Sequence, residues 1–369
     1  MRILFGAVPA AGHVLPLVPL ADAAADAGHQ VAFLTAADMA GYLGGRPLLP
    51  AGPDVPTLLV ETERRTSGGD ARHPGQAAVE NFAGARVDLT IDEARDQARR
   101  FAPDLLVCEA FDFVGQLLAA ELDRPWAKHA ICAPLPGPLD AAMQERAEAQ
   151  HAARGLTPRE RIALIDPLPE VLRSVDDPPG PADRIALRPG AHVGGRNQGA
   201  PQPIPGQRPR VLVTAGTSVH EPELLAGLVS SVAEAGFSVV VTVEPGALPA
   251  DPRVHALGFV PLARLLPAVD AVVGAGGFGT LLATLAAGLP TVLRPVLADQ
   301  PWNAQRVVKA GAGLVIEDPA EAGAAVHAAL TEPGYRAAAE SAAVSIRSMP
   351  APEAVLTELL ARQRSSVRA

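Results

Sequence analysis

Short apolar runs recur along the chain. Each is followed by a Gly- or Pro-bearing turn and then by a longer stretch of helical character. Arg2–Gly6 is an apolar run of buried-strand type, Pro9–Gly12 a loop, and Val14–Ala27 a helix closed by Gly28. A glycine just past a helix end permits the left-handed cap. Gln30–Leu34 is the next strand, completing the β-loop-α-β unit of a parallel sheet. The same order returns in the second half: strand Arg210–Val213, loop Thr214–Ser218, helix Glu221–Ala235 closed by Gly236, and strand Phe237–Val243. Further strands are expected at Leu105–Cys108 and Ala271–Val273, with helices at Leu139–Arg154 and Leu281–Ala287.

This pattern predicts an α/β protein of two Rossmann-like halves in series. The stretch Pro189–Pro209 is too rich in Gly, Pro and Gln for helix or strand. The expected division is residues 1–195, a linker at 196–208, a second domain at 209–350, and a C-terminal helix at 351–369 packing back on the first domain. Thr62–Gly75 and Asp176–Asp183 read as loops, and the connections between Gly45 and Ala102 as short. The tail after Asp318 reads as helical, broken by Pro350.

Length and composition agree. At about 150 residues per domain, 369 residues suggest two domains. A hydrophobic share of 48% supplies ample core. A net charge of −9 argues against a nucleic-acid partner. Two cysteines provide neither a disulfide framework nor a zinc cluster, so a reducing compartment, the cytoplasm, is expected. Ala271–Leu293 is uncharged and long enough to span a bilayer. Its six glycines and prolines (Gly274, Gly276, Gly277, Gly279, Gly288 and Pro290) instead suit strand, turn, helix and strand, so no membrane span is expected.

Four motifs carry candidate chemistry. Gly12-His13-Val14-Leu15-Pro16 follows the first strand. In an open α/β sheet, ligands bind beyond the carboxyl ends of strands, and a histidine there can accept a proton near neutral pH. A helix-start histidine without a task is the plainer alternative. Glu109 and Asp112 follow the strand Leu105–Cys108 and fall at the same sheet edge, where a carboxylate could hold the imidazole; ordinary loop acids would look the same.

The run Gly274-Ala275-Gly276-Gly277-Phe278-Gly279-Thr280 opens a helix. Its backbone N–H groups could cradle an anion, with the Thr280 hydroxyl adding a donor; a plain tight turn is the alternative. Gly274, Gly276 and Gly279 also fit G-x-G-x-x-G, with Asp299 about 20 residues on, as in a dinucleotide site. That spacing does not open the first unit of a half. The fourth motif is Asp299-Gln300 within Pro295–Asn303, an acid and an amide able to bond a polyhydroxylated ligand, or an ordinary helix start.

Together these motifs resemble the GT-B glycosyltransferases of the family-1 type, especially the actinomycete enzymes that decorate natural products. The likeness covers nearly the whole length and is strongest from Gly258-Phe259-Val260-Pro261 to Asn303. It implies two Rossmann-like parallel-sheet domains facing across a cleft. It also implies inverting, metal-independent transfer of a sugar from a dTDP- or UDP-type nucleotide sugar to a hydroxyl of a hydrophobic acceptor. The nucleotide sugar is a co-substrate, and no resident cofactor is implied. His13 matches the general base and Glu109 its acidic partner, with Asp112 the fallback. Thr217 and Ser218 match positions near the sugar and phosphates. Val260 and Pro261 match the nucleobase segment. Gly276, Gly277, Gly279 and Thr280 match the diphosphate turn, and Asp299 and Gln300 the pair that binds sugar hydroxyls.

No Asp-x-Asp pair stands in the chain to hold a metal. A homodimer is compatible with the sequence, which does not otherwise speak to assembly. One departure stands out: the family carries a histidine where this chain has Ala275, so a direct donor to the diphosphate is missing. Arg294, His220 or Thr217 are candidates to compensate, and Phe278 replaces a usually small residue. A non-catalytic relative that binds donor or acceptor, and an NAD(P)-dependent oxidoreductase, are the competing readings.

Overall fold

The computed structural model describes residues 1–194, 204–216 and 221–368. The chain divides into two compact units. One comprises 1–167, 177–187 and 350–369, and the other 168–176 and 188–349. The division thus differs from the sequence boundaries: residues 168–176 and 188–194 belong with the second unit.

The first unit is built on a seven-stranded parallel sheet. Its strands are β1 (Arg2–Gly6), β2 (Gln30–Thr35), β3 (Leu48–Pro50), β4 (Leu105–Glu109), β5 (Trp126–His129), β6 (Ala163–Asp166) and β7 (Arg184–Ala186). Their spatial order is β3-β2-β1-β4-β5-β6-β7. Strands covered on both faces read as continuous apolar runs, and alternate side chains serve opposite cores. Ile3, Phe5 and Val107 enter one core with Leu17, Leu20 and Ala24. Leu4, Leu106 and Cys108 enter the other with Val87, Ile91, Val114 and Leu118.

The terminal helix Pro352–Arg368 belongs to this unit and adds Val355, Leu356 and Leu359 to the first core. Arg362 fastens it by donating from Nη1 to the Asp183 carbonyl at 2.6 Å. Leu359 is fully buried, so Leu359→Ala is expected to cost about 2–5 kcal/mol. Chemical denaturation would read this; an unchanged midpoint would show that the helix contributes nothing to the unit.

The second unit carries a six-stranded parallel sheet. Its strands are β8 (Arg210–Thr214), β9 (Ser238–Val241), β10 (Val254–Ala256), β11 (Ala271–Gly274), β12 (Thr291–Leu293) and β13 (Gly313–Val315), ordered β10-β9-β8-β11-β12-β13. Val213, Val241, Val273 and Val292 pack with the helices Pro222–Glu234 and Ala322–Thr331 on one face. Leu212, Val240 and Val272 pack with Leu265, Leu266 and Ala283 on the other.

Several local expectations are corrected. The single helix expected at Val14–Ala27 is a turn at Ala11–Val14, a 3-10 segment at Leu15–Leu17 and a helix at Val18–Asp26. Pro16 and Pro19 cannot donate within a helix, and each begins a new segment instead. Thr62 lies in the helix Val55–Arg65, whose start is capped by Asp54 accepting from the Thr57 N–H, so the loop begins only at Thr66. The region from Gly45 to Ala102 also carries helical elements between its loops. It holds that helix, a π-turn at Glu80–Ala85 and the helix Arg86–Phe101. Among the described residues no helix is long and apolar enough to cross a membrane.

Candidate active site

β1 and β4 are adjacent, with Gly6 level with Cys108, so the residues after both strands emerge at one edge. His13 sits in the turn Ala11–Val14 and Glu109 ends β4. Their side chains meet, His13 Nδ1 lying 3.0 Å from Glu109 Oε1. The same oxygen accepts from the Val8 N–H at 3.1 Å, and Oε2 accepts from the Phe111 N–H at 2.8 Å. Glu109 is wholly buried, which by itself would raise its pKa. The His13 charge, the His13 hydrogen bond and the two backbone donors outweigh this and hold it below the ordinary value. An ionised carboxylate is acceptor-only, so Nδ1 carries a proton, and in the neutral imidazole Nε2 then holds the lone pair. His13 remains 18% exposed. Phe82 and Phe111 flank its ring, each centroid 5.7 Å away. Phe82 comes from the π-turn, an irregularity that often marks functional sites.

Asp112 does not reach His13. It is buried and accepts from Arg86 Nη2 at 2.9 Å, and the same Nη2 donates to the Ala7 carbonyl at 2.7 Å. Burial, with the nearby Glu109 charge, pushes Asp112 up to about 6 against the pull of Arg86. Gly6 makes this approach feasible, since a Cβ there would stand 2.0 Å from Asp112 Oδ2. The pair therefore braces the β1 exit, one residue before Val8. Its role is missed by reading acids alone, because Arg86 lies 26 residues upstream of Asp112.

In the second unit, β8, β11 and β12 run side by side, and the glycine turn leaves β11 next to the end of β12. Gly276 adopts φ +86°, a conformation that favours glycine. Gly277 precedes the helix Phe278–Ala286, with no side chain capping its start. The first intrahelical bond runs from Leu281 N to the Gly277 carbonyl, leaving the N–H groups of Phe278, Gly279 and Thr280 without helical acceptors. Among the described residues, a Cβ on Gly277 or Gly279 would meet nothing within 4 Å. Phe278 is buried, as is Ala275.

Asp299 stands at the start of the helix Gln300–Lys309, after Ala298 in the left-handed region at φ +53°. Gln300 is largely turned inward: Oε1 accepts from Val296 N at 2.9 Å and Leu297 N at 3.0 Å, shaping the loop that presents Asp299. Arg294 donates from its backbone to the Gly274 carbonyl, and its guanidinium caps the Pro295 carbonyl while Nε is buried without a partner. Val260 is half-buried and Pro261 buried, whereas Phe259 beside them is 57% exposed. The ring to notice in that segment is thus Phe259, which the sequence motif contains. Thr217, Ser218 and His220 lie outside the described residues.

The dinucleotide reading fails on geometry. Asp299 begins a helix beyond β12, rather than ending the strand after a first βα unit. Comparison with known proteins agrees. The family model "Erythromycin biosynthesis protein CIII-like, C-terminal domain" matches residues 227–362. The elloramycin glycosyltransferase of Streptomyces olivaceus is 33% identical, with 97% of each chain covered. The L-demethylnoviosyl transferase of Streptomyces niveus is 30% identical, with 99% of each covered. A Streptomyces sp. SF2575 glycosyltransferase crystallised with thymidine diphosphate superposes with a TM-score of 0.82 at 29% identity, covering 97% of this chain and 99% of that one. The chain belongs to the GT-B glycosyltransferases of natural-product biosynthesis. It is a glycosyltransferase, and the oxidoreductase alternative falls away.

Proposed function

We propose that the protein transfers a sugar from a nucleoside diphosphate sugar, of dTDP type, to a hydroxyl of a hydrophobic natural-product acceptor with inversion. The observation that carries this reading is the His13–Glu109 pair, with Nε2 left for a substrate proton. A neutral hydroxyl is a weak nucleophile, and a positioned base assists as its proton departs. Glu109 fixes the tautomer and stabilises the imidazolium that forms, as the acid of a catalytic triad does. Phe82 and Phe111 suit an apolar acceptor body beside the imidazole.

On the donor side, the departing diphosphate gains negative charge. The open N–H groups at the start of Phe278–Ala286, aided by the Thr280 hydroxyl, would stabilise it without a metal. Asp299 would accept from sugar hydroxyls, Gln300 would hold its loop, and Phe259 offers an exposed face to a nucleobase. The dTDP preference draws on the thymidine diphosphate in the structural neighbour.

The test is diphosphate release from dTDP- and UDP-sugars over a panel of hydroxylated apolar acceptors, with the anomeric configuration of product read by NMR. Retained configuration, or no nucleoside diphosphate formed with any donor, would reject the reading. Ala275→His restores the family's donor at the turn and is expected to raise turnover or donor affinity. Steady-state kinetics would show it, and unchanged constants would mean that another group already fills the place.

A further inference from the structure

Asn303 lies four residues after Asp299 on the helix Gln300–Lys309 and is 1% exposed. Its Nδ2 donates at 2.9 Å to the Gly276 carbonyl and at 2.9 Å to Asp299 Oδ2. One amide nitrogen, with two hydrogens, therefore bridges the glycine turn and the carboxylate that starts the next helix. The amide orientation follows from its partners, since a flipped Oδ1 would face two acceptors. Asn303 Oδ1 is buried and, among the described residues, has no hydrogen-bond partner. An apolar residue would avoid that desolvation cost, so packing alone does not account for an amide here.

The bond to Gly276 has a directional effect. In a trans peptide, the carbonyl of Gly276 and the N–H of Gly277 point to opposite sides of one plane. Holding the carbonyl against Asn303 turns the Gly277 N–H away from the helix Gln300–Lys309. Gly277 is where an added Cβ would meet nothing within 4 Å. The bond to Asp299 fixes the rotamer of that carboxylate at the same time.

We propose that Asn303 is a positioning residue that sets the phosphate-facing turn and the sugar-facing carboxylate in register, so that one buried amide governs both halves of donor recognition. This rests on the donor-site reading above. Among the described residues, Gln300 Oε1 bonds to the loop before it and makes no such bridge.

The test compares the wild type, Asn303→Asp and Asn303→Ala in calorimetric binding of thymidine and of dTDP across pH, with thermal unfolding alongside. Asn303→Asp is nearly isosteric but puts a carboxylate against Asp299 and the Gly276 carbonyl. At about pH 8 its dTDP affinity is expected to fall at least roughly tenfold, with thymidine affinity kept. Because two carboxylates sharing a site raise one pKa, lowering the pH to about 5.5 returns a bridging proton, and dTDP affinity recovers relative to wild type. Asn303→Ala stays weak throughout.

Unchanged dTDP affinity in Asn303→Asp, a flat pH profile, or an equal loss of thymidine binding would overturn the positioning role while leaving the donor site intact. A wild type that binds thymidine diphosphate no better than buffer would overturn the donor-site reading, and this inference with it.

Discussion

His13→Ala is expected to lower the rate of transfer by about 10²–10⁴-fold, the usual contribution of a positioned general base. Binding of dTDP should stay near the wild-type value, because His13 lies in the first unit and the glycine turn in the second. Steady-state turnover with calorimetric binding of dTDP tests both halves of the statement. Retained turnover would remove His13 from the base role. A parallel loss of dTDP affinity would place it in donor binding. Glu109→Gln should act in the same direction. The amide oxygen can accept from Nδ1–H and the Val8 N–H, but the side chain carries no charge to balance the imidazolium and leaves the Phe111 N–H facing an NH₂ group.

The second large effect is on stability. Asp112→Asn removes the counter-charge of a guanidinium that is buried and already has Nε and Nη1 unpartnered. Breaking one side of a buried pair costs about 3–5 kcal/mol. Because burial already raises the Asp112 carboxyl to about 6 despite Arg86, the variant should lose less than that at neutral pH in chemical denaturation, and a full loss of about 3–5 kcal/mol would show that the ionised pair outweighs its burial cost. The pH dependence has a defined sign. Asp112 is raised from 3.8 to about 6, so the folded state holds this proton more tightly than the unfolded chain. Its contribution is fully present below about pH 3.8 and is lost as pH rises through about 6. Glu109 is held low, and its contribution runs oppositely, being lost as pH falls through its folded value. The Asn variant should lack the decline between about pH 4 and 6, isolating the Asp112 share.

Much of the architecture could be read from the chain because parallel strands covered on both faces are continuous apolar runs ended by glycine. β1 and β11 follow that rule, ending at Gly6 and Gly274, whereas the apolar runs of β4 and β8 end at Glu109 and Thr214. The pairing of His13 with Glu109 could be anticipated because each follows a strand, and strands of a parallel sheet deliver their successors to one edge. What escaped was tertiary. Arg86 is an arginine on a charged helix, and only the sheet's geometry brings it beneath Ala7 and Asp112. The inward turn of Gln300 was equally hidden, since an amide beside an acid has the same sequence signature whether it faces ligand or loop. Pro16 and Pro19 divide what periodicity presents as one helix. The π-turn at Glu80–Ala85 has no residue signature of its own, being one extra residue accommodated in helical surroundings.

The closing helix has a consequence for biogenesis. Val355, Leu356 and Leu359 complete the core that also contains Ile3 and Phe5, so these strand residues wait for a helix made after the whole second unit. A nascent chain can finish the second unit while the first still shows an uncovered apolar stripe along Val18–Asp26. Stop codons placed ahead of Pro352 should therefore harm the first unit before the second.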